Sequence, residues 1–382
     1  MRVLFATTRG GGHLGPLIPL AHACVRAGHE VRIAGPEAVR GAVTRAGLGF
    51  APVGAAPDDE VAAAFAPVWA QEAEAAHVIG NLFAGMHARA ALPDMLALIG
   101  SWRPDVVVRE TMEFASTLAA ERHGVPQVRF GVHLLAAVDG NAGPLELAAG
   151  PLDALRPAAG LAPDPEMRAL RDSPLLTLAP ASMDAPGAPP VARYRDPALP
   201  APGARNGRRP LVYVAFGSEA PGSHLFPGLY RDALEALAGL DADVLVAVGD
   251  RRAPEELGPV PANARVERWV PQADVMRTAA AMVGHGGSGS TLMALAAGVP
   301  QALVPLFVDG PVNAARVVSV GAGVAVGGAD AVPVELGAAV RVLLEDDTHR
   351  AGARMVADEI AALPPVDDAV AVLESLTRPA VR

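Results

Sequence analysis

The stretch VLFATTRGGGHLGPLIPLAHACVRAGHEVRI, Val3 to Ile33, reads as a complete βαβ unit. Val3–Thr7 is an apolar strand, Arg9–Gly12 a glycine-rich loop, and apolar residues then recur at helical spacing from Leu14 to Ala27. Gly28 ends that helix, and Glu30–Ile33 begins the next strand. A second start of the same kind lies at Leu211–Phe216, another apolar run that enters a turn at Gly217 and Ser218. Strand-first segments of this type build doubly wound parallel sheets, so the chain is expected to be α/β with two such halves.

Length agrees, because 382 residues exceed what one core usually organises and suit two domains of roughly 190 each. The Ala185–Pro210 region between the halves carries so many Pro and Gly that no regular element should persist there. The expected division is residues 1–190, a linker over 191–210, and 211–382. Pro104–Val108 and Pro126–Phe130 read as further strands of the first half. Asp243–Val248, Ala264–Arg268, Ala279–Val283 and Gln301–Leu306 read as strands of the second. Ala55–Leu98 reads as helical, and Pro364–Pro365 precede a C-terminal helix (about 365–382) that is a candidate to pack back on the first domain.

Composition narrows the chemistry. All 31 basic residues are arginine, which excludes a P-loop and every lysine Schiff base. The formal charge of −10 argues against nucleic-acid and anionic-membrane partners. No apolar run approaches the ~20 residues of a bilayer crossing, and the N-terminus lacks the pattern of a signal peptide, so a cytoplasmic protein is expected. Cys24 stands alone, which excludes an internal disulfide and a cysteine metal cluster and suits a buried packing residue.

The strongest local signal is Gly284-His285-Gly286-Gly287-Ser288-Gly289-Ser290-Thr291, which leaves a strand and opens a helix. Glycines let a ligand approach the backbone, the first helical amides have no internal acceptor, and the dipole favours an anion there. His285, Ser290 and Thr291 would add side-chain donors. Downstream come Gly298-Val299-Pro300 and Pro305-Leu306-Phe307-Val308-Asp309, with Asn313 beyond, and upstream stands Trp269-Val270-Pro271-Gln272.

Together with Phe216-Gly217-Ser218, the order and spacing of these elements resemble the GT-B glycosyltransferases, in particular the actinomycete enzymes that decorate antibiotics and other natural products. The resemblance covers essentially the whole chain. It implies two Rossmann-like domains facing across a cleft, the first for the acceptor and the second for a nucleotide-sugar. It further implies that Trp269 stacks on the nucleobase and the Val270 backbone meets the base edge, with Gln272 beside them. His285, Gly287, Gly289, Ser290 and Ser218 would hold the diphosphate, with Thr291 next to them, and Asp309 would receive sugar hydroxyls. Two positions depart from the wider pattern. Met293 stands where many members have a glutamate that clasps the ribose, which points to a dTDP-sugar, and Gly310 stands where an amide is common, which suits a deoxygenated sugar.

In the first half, Gly12-His13-Leu14-Gly15-Pro16 matches the family's Gly-His-x-x-Pro element and follows the first strand, where ligands of doubly wound sheets collect. Histidine ordinarily titrates near pH 6.5 and can take a proton at physiological pH, so His13 is the expected general base. Glu110, Glu113 and Asp309 compete as its carboxylate partner. Trp69, Phe83, Met86, Met112 and Phe114 are candidates for an apolar acceptor pocket. The resulting expectation is an inverting, metal-independent transfer of a deoxysugar from dTDP to a hydrophobic, polyketide-type acceptor, with no cofactor beyond the co-substrate. A non-hydrolysing sugar-nucleotide epimerase and a non-catalytic accessory protein share the architecture and are the alternatives. A hydrolase that uses His285-Gly286-Gly287 as an oxyanion hole is a weak rival, since no G-x-S-x-G occurs. Asp241-Ala242-Asp243 mimics a metal-binding Asp-x-Asp but reads as a solvated turn, and Asp58-Asp59 and Asp346-Asp347 read as surface charge.

Overall fold

The computed structural model describes residues 1–69, 78–134, 142–184, 191–203, 209–306 and 309–377, without the side chains of 68–69 and 142–144. The chain forms two compact units. Unit 1 comprises Met1–Ala179, Ala185–Pro197 and Pro364–Arg382; unit 2 comprises Pro180–Asp184 and Ala198–Leu363.

Unit 1 is built on strands β1 (Arg2–Ala6), β2 (Glu30–Gly35), β3 (Gly49–Pro52), β4 (Val106–Glu110), β5 (Gln127–Phe130), β6 (Leu175–Thr177) and β7 (Ala192–Arg193). They pair in the order β3-β2-β1-β4-β5-β6-β7, all parallel. Unit 2 uses β8 (Leu211–Ala215), β9 (Asp243–Ala247), β10 (Ala264–Glu267), β11 (Ala279–Gly284), β12 (Gln301–Leu303) and β13 (Gly323–Ala325). Their order is β10-β9-β8-β11-β12-β13, again parallel. In each sheet the winding reverses once, between β1 and β4 and between β8 and β11. A doubly wound sheet opens a crevice at that point, beyond the carboxyl ends of the two strands.

The central strands are covered on both faces, as parallel sheets require. Val3–Ala6 and all five residues of β4 are buried, and so is the whole of β11. The strands β3, β6, β7 and β13, of four, three, two and three residues, lack the apolar run that announces the central ones. They gain their hydrogen bonds from a neighbour already in place.

Three expectations need correction. The segment expected as a linker over 191–210 contributes β7 to the sheet of unit 1, and from Ala198 the chain continues in unit 2. The first helix is interrupted, with one turn at Gly11–Leu14 and a second helix at Leu17–Arg26, because Gly15 and Pro16 stand between them. The helical run Ile79–Trp102 is long and apolar enough to cross a bilayer, contrary to the reading that no such run exists; half of its most apolar window is buried against the core of unit 1.

The C-terminal elements belong to unit 1. The Arg195 amide donates to the Pro364 carbonyl at 2.7 Å, and the Val366 amide donates back to Arg195 at 3.0 Å. Arg26 donates twice to Asp367 Oδ1, at 2.9 and 2.7 Å, while His29 Nε2 lies 3.1 Å from Glu374 Oε1. These polar contacts are half-exposed and worth little each. Leu373, fully buried on the helix Val370–Thr377, carries the attachment. Leu373→Ala is expected to destabilise the protein by about 2–5 kcal/mol, as large as a central core truncation, measured from the urea midpoint of unfolding.

Candidate functional site

At the crevice of unit 1, register fixes the first constellation. Ala6 of β1 pairs with Arg109 of β4, so the residues that follow, Thr7 and Thr8 on one strand and Glu110 on the other, emerge side by side. The Glu110 carboxylate is fully buried. Its Oε1 accepts from the Thr8 amide at 3.2 Å and the Thr8 hydroxyl at 2.8 Å, and its Oε2 accepts from the Met112 amide at 2.7 Å. His13 Nδ1 stands 3.2 Å from Oε1. Burial alone would raise this carboxyl, but the His13 charge and hydrogen bond, then the Met112 amide and the Thr8 hydroxyl, outweigh it and hold the group below the usual carboxylate range.

The fully buried Arg109 guanidinium keeps the loop in shape by donating to the carbonyls of Glu110, Thr111 and Glu113 at 3.2, 3.2 and 2.8 Å. His13 rides on the single turn Gly11–Leu14, which starts from Gly10 at φ 104°, a conformation that suits glycine. With Nδ1 at Glu110, Nε2 is the nitrogen left for a ligand.

Glu113 does not share this role. Both its oxygens accept from the Ser116 amide, at 3.1 and 3.3 Å, and one also accepts from the Ser116 hydroxyl, so the side chain closes the first turn of the helix Ala115–His123. Asp309, the third candidate, is engaged within unit 2. Of the competing carboxylates, Glu110 is the one against His13.

Beside this pair lies a cavity walled by Thr7, Thr8, Val53, Phe83, His87, Glu113 and Phe114 among others. Phe83 and Phe114 line this cavity and, like Met112, belong to the buried core of unit 1, with Met86 packed against it; the side chain of Trp69 lies outside the described residues. The Phe83 ring is 5.3 Å from that of His13 and 5.9 Å from that of His87, centroid to centroid. Sequence reasoning passed over His87, whose neighbours read only as helical core. It ends a π-helical stretch, Ile79–His87, and wider turns of this kind recur at functional sites. Burial, then the charges of Arg9 and His13, push its pKa down to about 4 against the opposing pull of Glu110.

The second constellation lies at the crevice of unit 2. Gly284 at the end of β11 pairs with Ala215 at the end of β8, so the loop from His285 runs beside Phe216–Ser218. The His285 imidazole is slotted between two glycines. A Cβ on Gly217 would stand 2.5 Å from its Cε1, and one on Gly287 would stand 2.3 Å from its Nε2. Gly217 also has φ +80°. Burial lowers the His285 pKa against the raising effect of Asp309 and the Ala215 backbone, so the ring is neutral at physiological pH.

The helix Ser288–Ala296 begins directly after this slot. Asp309 Oδ2 accepts from the Ser288 amide at 3.1 Å, the Ser288 hydroxyl at 2.6 Å and Asn313 Nδ2 at 3.0 Å. Asn313, buried, also donates to the Gly286 carbonyl at 2.7 Å and locks the turn. The Gly289 and Ser290 amides of this first turn have no carbonyl four residues back inside the helix and remain for an anion.

Trp269 is 66 % exposed. Val270 and Met293 pack against one apolar cluster that includes Tyr213 and Met276. Ser290 Oγ lies 3.5 Å from Gln272 Oε1, which brings the Trp-x-Pro-Gln segment to the glycine loop. Ser218 is exposed, 3.3 Å from Glu219 Oε1. Thr291 is a correction: it is 1 % exposed with its hydroxyl covered by protein, so it is a packing residue and no donor to a ligand. Phe307 and Val308 lie outside the described residues.

The Asp-x-Asp mimic is surface charge, since Asp241 and Asp243 both face Arg209, at 3.0 and 3.5 Å. Asp346 caps the helix Asp347–Ala362. Among the described residues, no three His, Cys, Asp or Glu side chains are grouped to hold a metal ion.

Comparison with known proteins adds a family. The model for the N-terminal domain of erythromycin biosynthesis protein CIII-like proteins matches residues 22–141, and that for the C-terminal domain matches 231–376. The chain is 36 % identical over 375 residues to the L-demethylnoviosyl transferase of Streptomyces niveus, covering 95 % of each. Among solved structures, it is similar to the glycosyltransferase SnogD of Streptomyces nogalater, with a TM-score of 0.75, 29 % identity and 99 % of each chain covered. It is also similar to the Streptomyces sp. SF2575 glycosyltransferase SsfS6 complexed with thymidine diphosphate, with a TM-score of 0.77, 27 % identity and 98 % and 99 % covered.

The two buried glutamates of unit 1 have opposite linkage to pH. Burial raises the Glu113 carboxyl above the usual carboxylate range against the lowering effect of Ser116 and Arg109. The folded state therefore keeps this proton where the unfolded chain releases it. Its contribution to stability is complete below the ordinary glutamate pKa and is lost as pH rises through the raised value. Glu113→Gln is expected to remove that loss, and urea midpoints measured at intervals from about pH 5 to 8 should fall less steeply than those of the parent.

Proposed function

The chain belongs to the erythromycin biosynthesis protein CIII-like family of glycosyltransferases, and on that premise we propose that it moves a deoxysugar from dTDP to a hydrophobic, polyketide-type acceptor with inversion at the anomeric carbon. His13 is the base. The observation that carries this reading is the His13–Glu110 pair, a 3.2 Å contact to an ionised, fully buried carboxylate at the crevice of unit 1.

In the proposed step the acceptor hydroxyl attacks the anomeric carbon as the bond from that carbon to the diphosphate oxygen breaks. The hydroxyl proton passes to His13 Nε2, and the bonding pair leaves with dTDP. Glu110 holds the Nδ1–H tautomer and stabilises the imidazolium as it forms, which is how a buried carboxylate serves a histidine base.

Unit 2 serves the donor. The Gly289 and Ser290 amides and the neutral His285 are offered to the diphosphate, and hydrogen bonds to an ionised group are worth about 1.5–3 kcal/mol each. They suffice in a chain without lysine. Trp269 provides the face for the base. The donors on Asp309 all converge on Oδ2, so Oδ1 is available to sugar hydroxyls. Met293 belongs to an apolar cluster beside Val270, surroundings that suit a ribose without its 2′-hydroxyl.

The reading is tested by product mass spectrometry with matched dTDP- and UDP-sugars against a panel of polyketide aglycones. Equal turnover of the two donors would overturn the thymidine preference. His13→Ala is expected to lower kcat at least ~100-fold with dTDP affinity unchanged by calorimetry; an unchanged kcat would remove His13 as the base. In Gly287→Ala the new Cβ displaces the His285 ring, and dTDP affinity should fall about tenfold, the worth of one lost hydrogen bond.

A further inference from the structure

The helix Ala115–His123 contributes Thr117 and Glu121 to a second cavity of unit 1, lined also by Asp153, Arg156 and Asp164. This cavity shares no residue with the one at the crevice and has space for about one water molecule. Thr117 is 3 % exposed, and its hydroxyl has no hydrogen-bond partner among the described residues. A helical threonine can return its hydroxyl to the carbonyl four residues back, but here that carbonyl, of Glu113, already accepts from Arg109 at 2.8 Å. Asp164 Oδ1 is covered and unpartnered as well. Its Oδ2 accepts from the Arg168 amide at 2.8 Å, while Arg168 Nε, 3.8 Å from Oδ1, is beyond hydrogen-bond reach.

Charge says what fills such a place. Glu121, Asp153 and Asp164 stand in the wall with Arg156 as its one cation. That guanidinium is committed to Glu121, at 2.8 and 2.6 Å, and to the Ala162 carbonyl. Glu121 first, and then Asp164 and Asp153, raise the Arg156 pKa against the effect of burial, so one positive charge answers to three negative ones. A water molecule would fill the space and leave that imbalance, whereas a cation corrects it. Both unpartnered atoms are oxygens, the donors that hard cations take. The acids are not grouped as a multivalent ion requires, and one unpartnered carboxylate oxygen matches one charge. Sodium is close to water in size, and potassium is larger.

We propose that this cavity is a monovalent-cation site of sodium size, in which Asp164 Oδ1 and the Thr117 hydroxyl oxygen are ligands. The ion ties the helix that follows the Glu110 loop to the segment Asp153–Arg168, and it stabilises unit 1 without taking part in the chemistry at the crevice. The part-exposed Glu121 side chain at the wall leaves a way in from solvent.

The test compares thermal melting of the full chain in sodium chloride and in choline chloride at equal ionic strength, for the parent and for Thr117→Val and Asp164→Asn. Sodium should raise the parent midpoint over choline by about 2–4 °C and saturate. Thr117→Val keeps both shape and net charge. In choline it should melt no lower than the parent, since it removes a buried hydroxyl that has no protein partner, yet its response to sodium should fall below half. Asp164→Asn should lose the response too, and if it fails to fold, Thr117→Val decides alone. The sodium NMR line, broadened by the parent, should be narrower with Thr117→Val at the same concentration, where non-specific counter-ions are unchanged. Matching near-ultraviolet circular dichroism verifies folding. Equal parent midpoints in the two salts, or a sodium response that Thr117→Val retains in full, overturns the site and leaves the cavity to water. A response given by calcium chloride and not by sodium overturns the monovalent assignment.

Discussion

A carboxylate with no solvent contact at the end of a parallel strand costs several kcal/mol to desolvate unless its oxygens are filled with donors. Glu110 meets that requirement with Thr8, Met112 and His13, and much of unit 1 follows from it. Thr8 must leave β1 beside β4, so the two strands have to be neighbours in the register observed. Met112 must present its amide, so the loop after β4 has to be pinned, which Arg109 does through three carbonyls. His13 must return to the carboxylate within a few residues of β1, so the helix stops after one turn and begins from a glycine in a left-handed conformation. Remove the carboxylate and none of these local oddities has a reason.

Unit 2 solves the corresponding problem with the opposite economy of charge. In the proposed donor site an anion would be received by a glycine loop whose own sequence carries no arginine and whose histidine is neutral. Asp309 is the ionisable anchor there, and it is used structurally: it fixes Ser288, and with Asn313 it sets the turn from which the helix starts. The donors that face the crevice are then backbone amides whose direction is set by the turn, and the two glycines around His285 admit the ring at a separation that any Cβ would prevent. A site of this kind is rigid because its donors cannot rotate.

Much of this was legible in the sequence because it depends on short-range pattern. Val3–Thr7 followed by glycines states strand and turn, and Gly284–Ser290 followed by a helix states strand, turn and a candidate anion site, each within about ten residues. The short strands β6, β7 and β13 were not legible, since their two or three residues acquire strand geometry only by pairing with a neighbour. Glu110 and Glu113 were indistinguishable for a related reason. Three residues apart on one loop, they differ only in which donor each meets, Thr8 from β1 or Ser116 from the next helix turn, and that is decided by sheet register. Thr291 and Ser290 differ in the same way, by which side of one helix is covered. His87 carried no local signal; its neighbours in the chain read as helical core, and its burial beside Phe83 is decided by tertiary packing.

The histidines near the two crevices show how environment divides labour among identical side chains. His87 and His285 are both driven neutral mainly by burial, the first to about 4. A neutral imidazole can hydrogen-bond without attracting a counter-ion. Of these rings, His13 is the one set against a carboxylate that is itself fully buried and ionised. In the proposed reaction that carboxylate would stabilise the imidazolium through a charge interaction little screened by solvent. Identical side chains are thus set apart by their surroundings alone, two of the rings by desolvation and the third by an ionised partner.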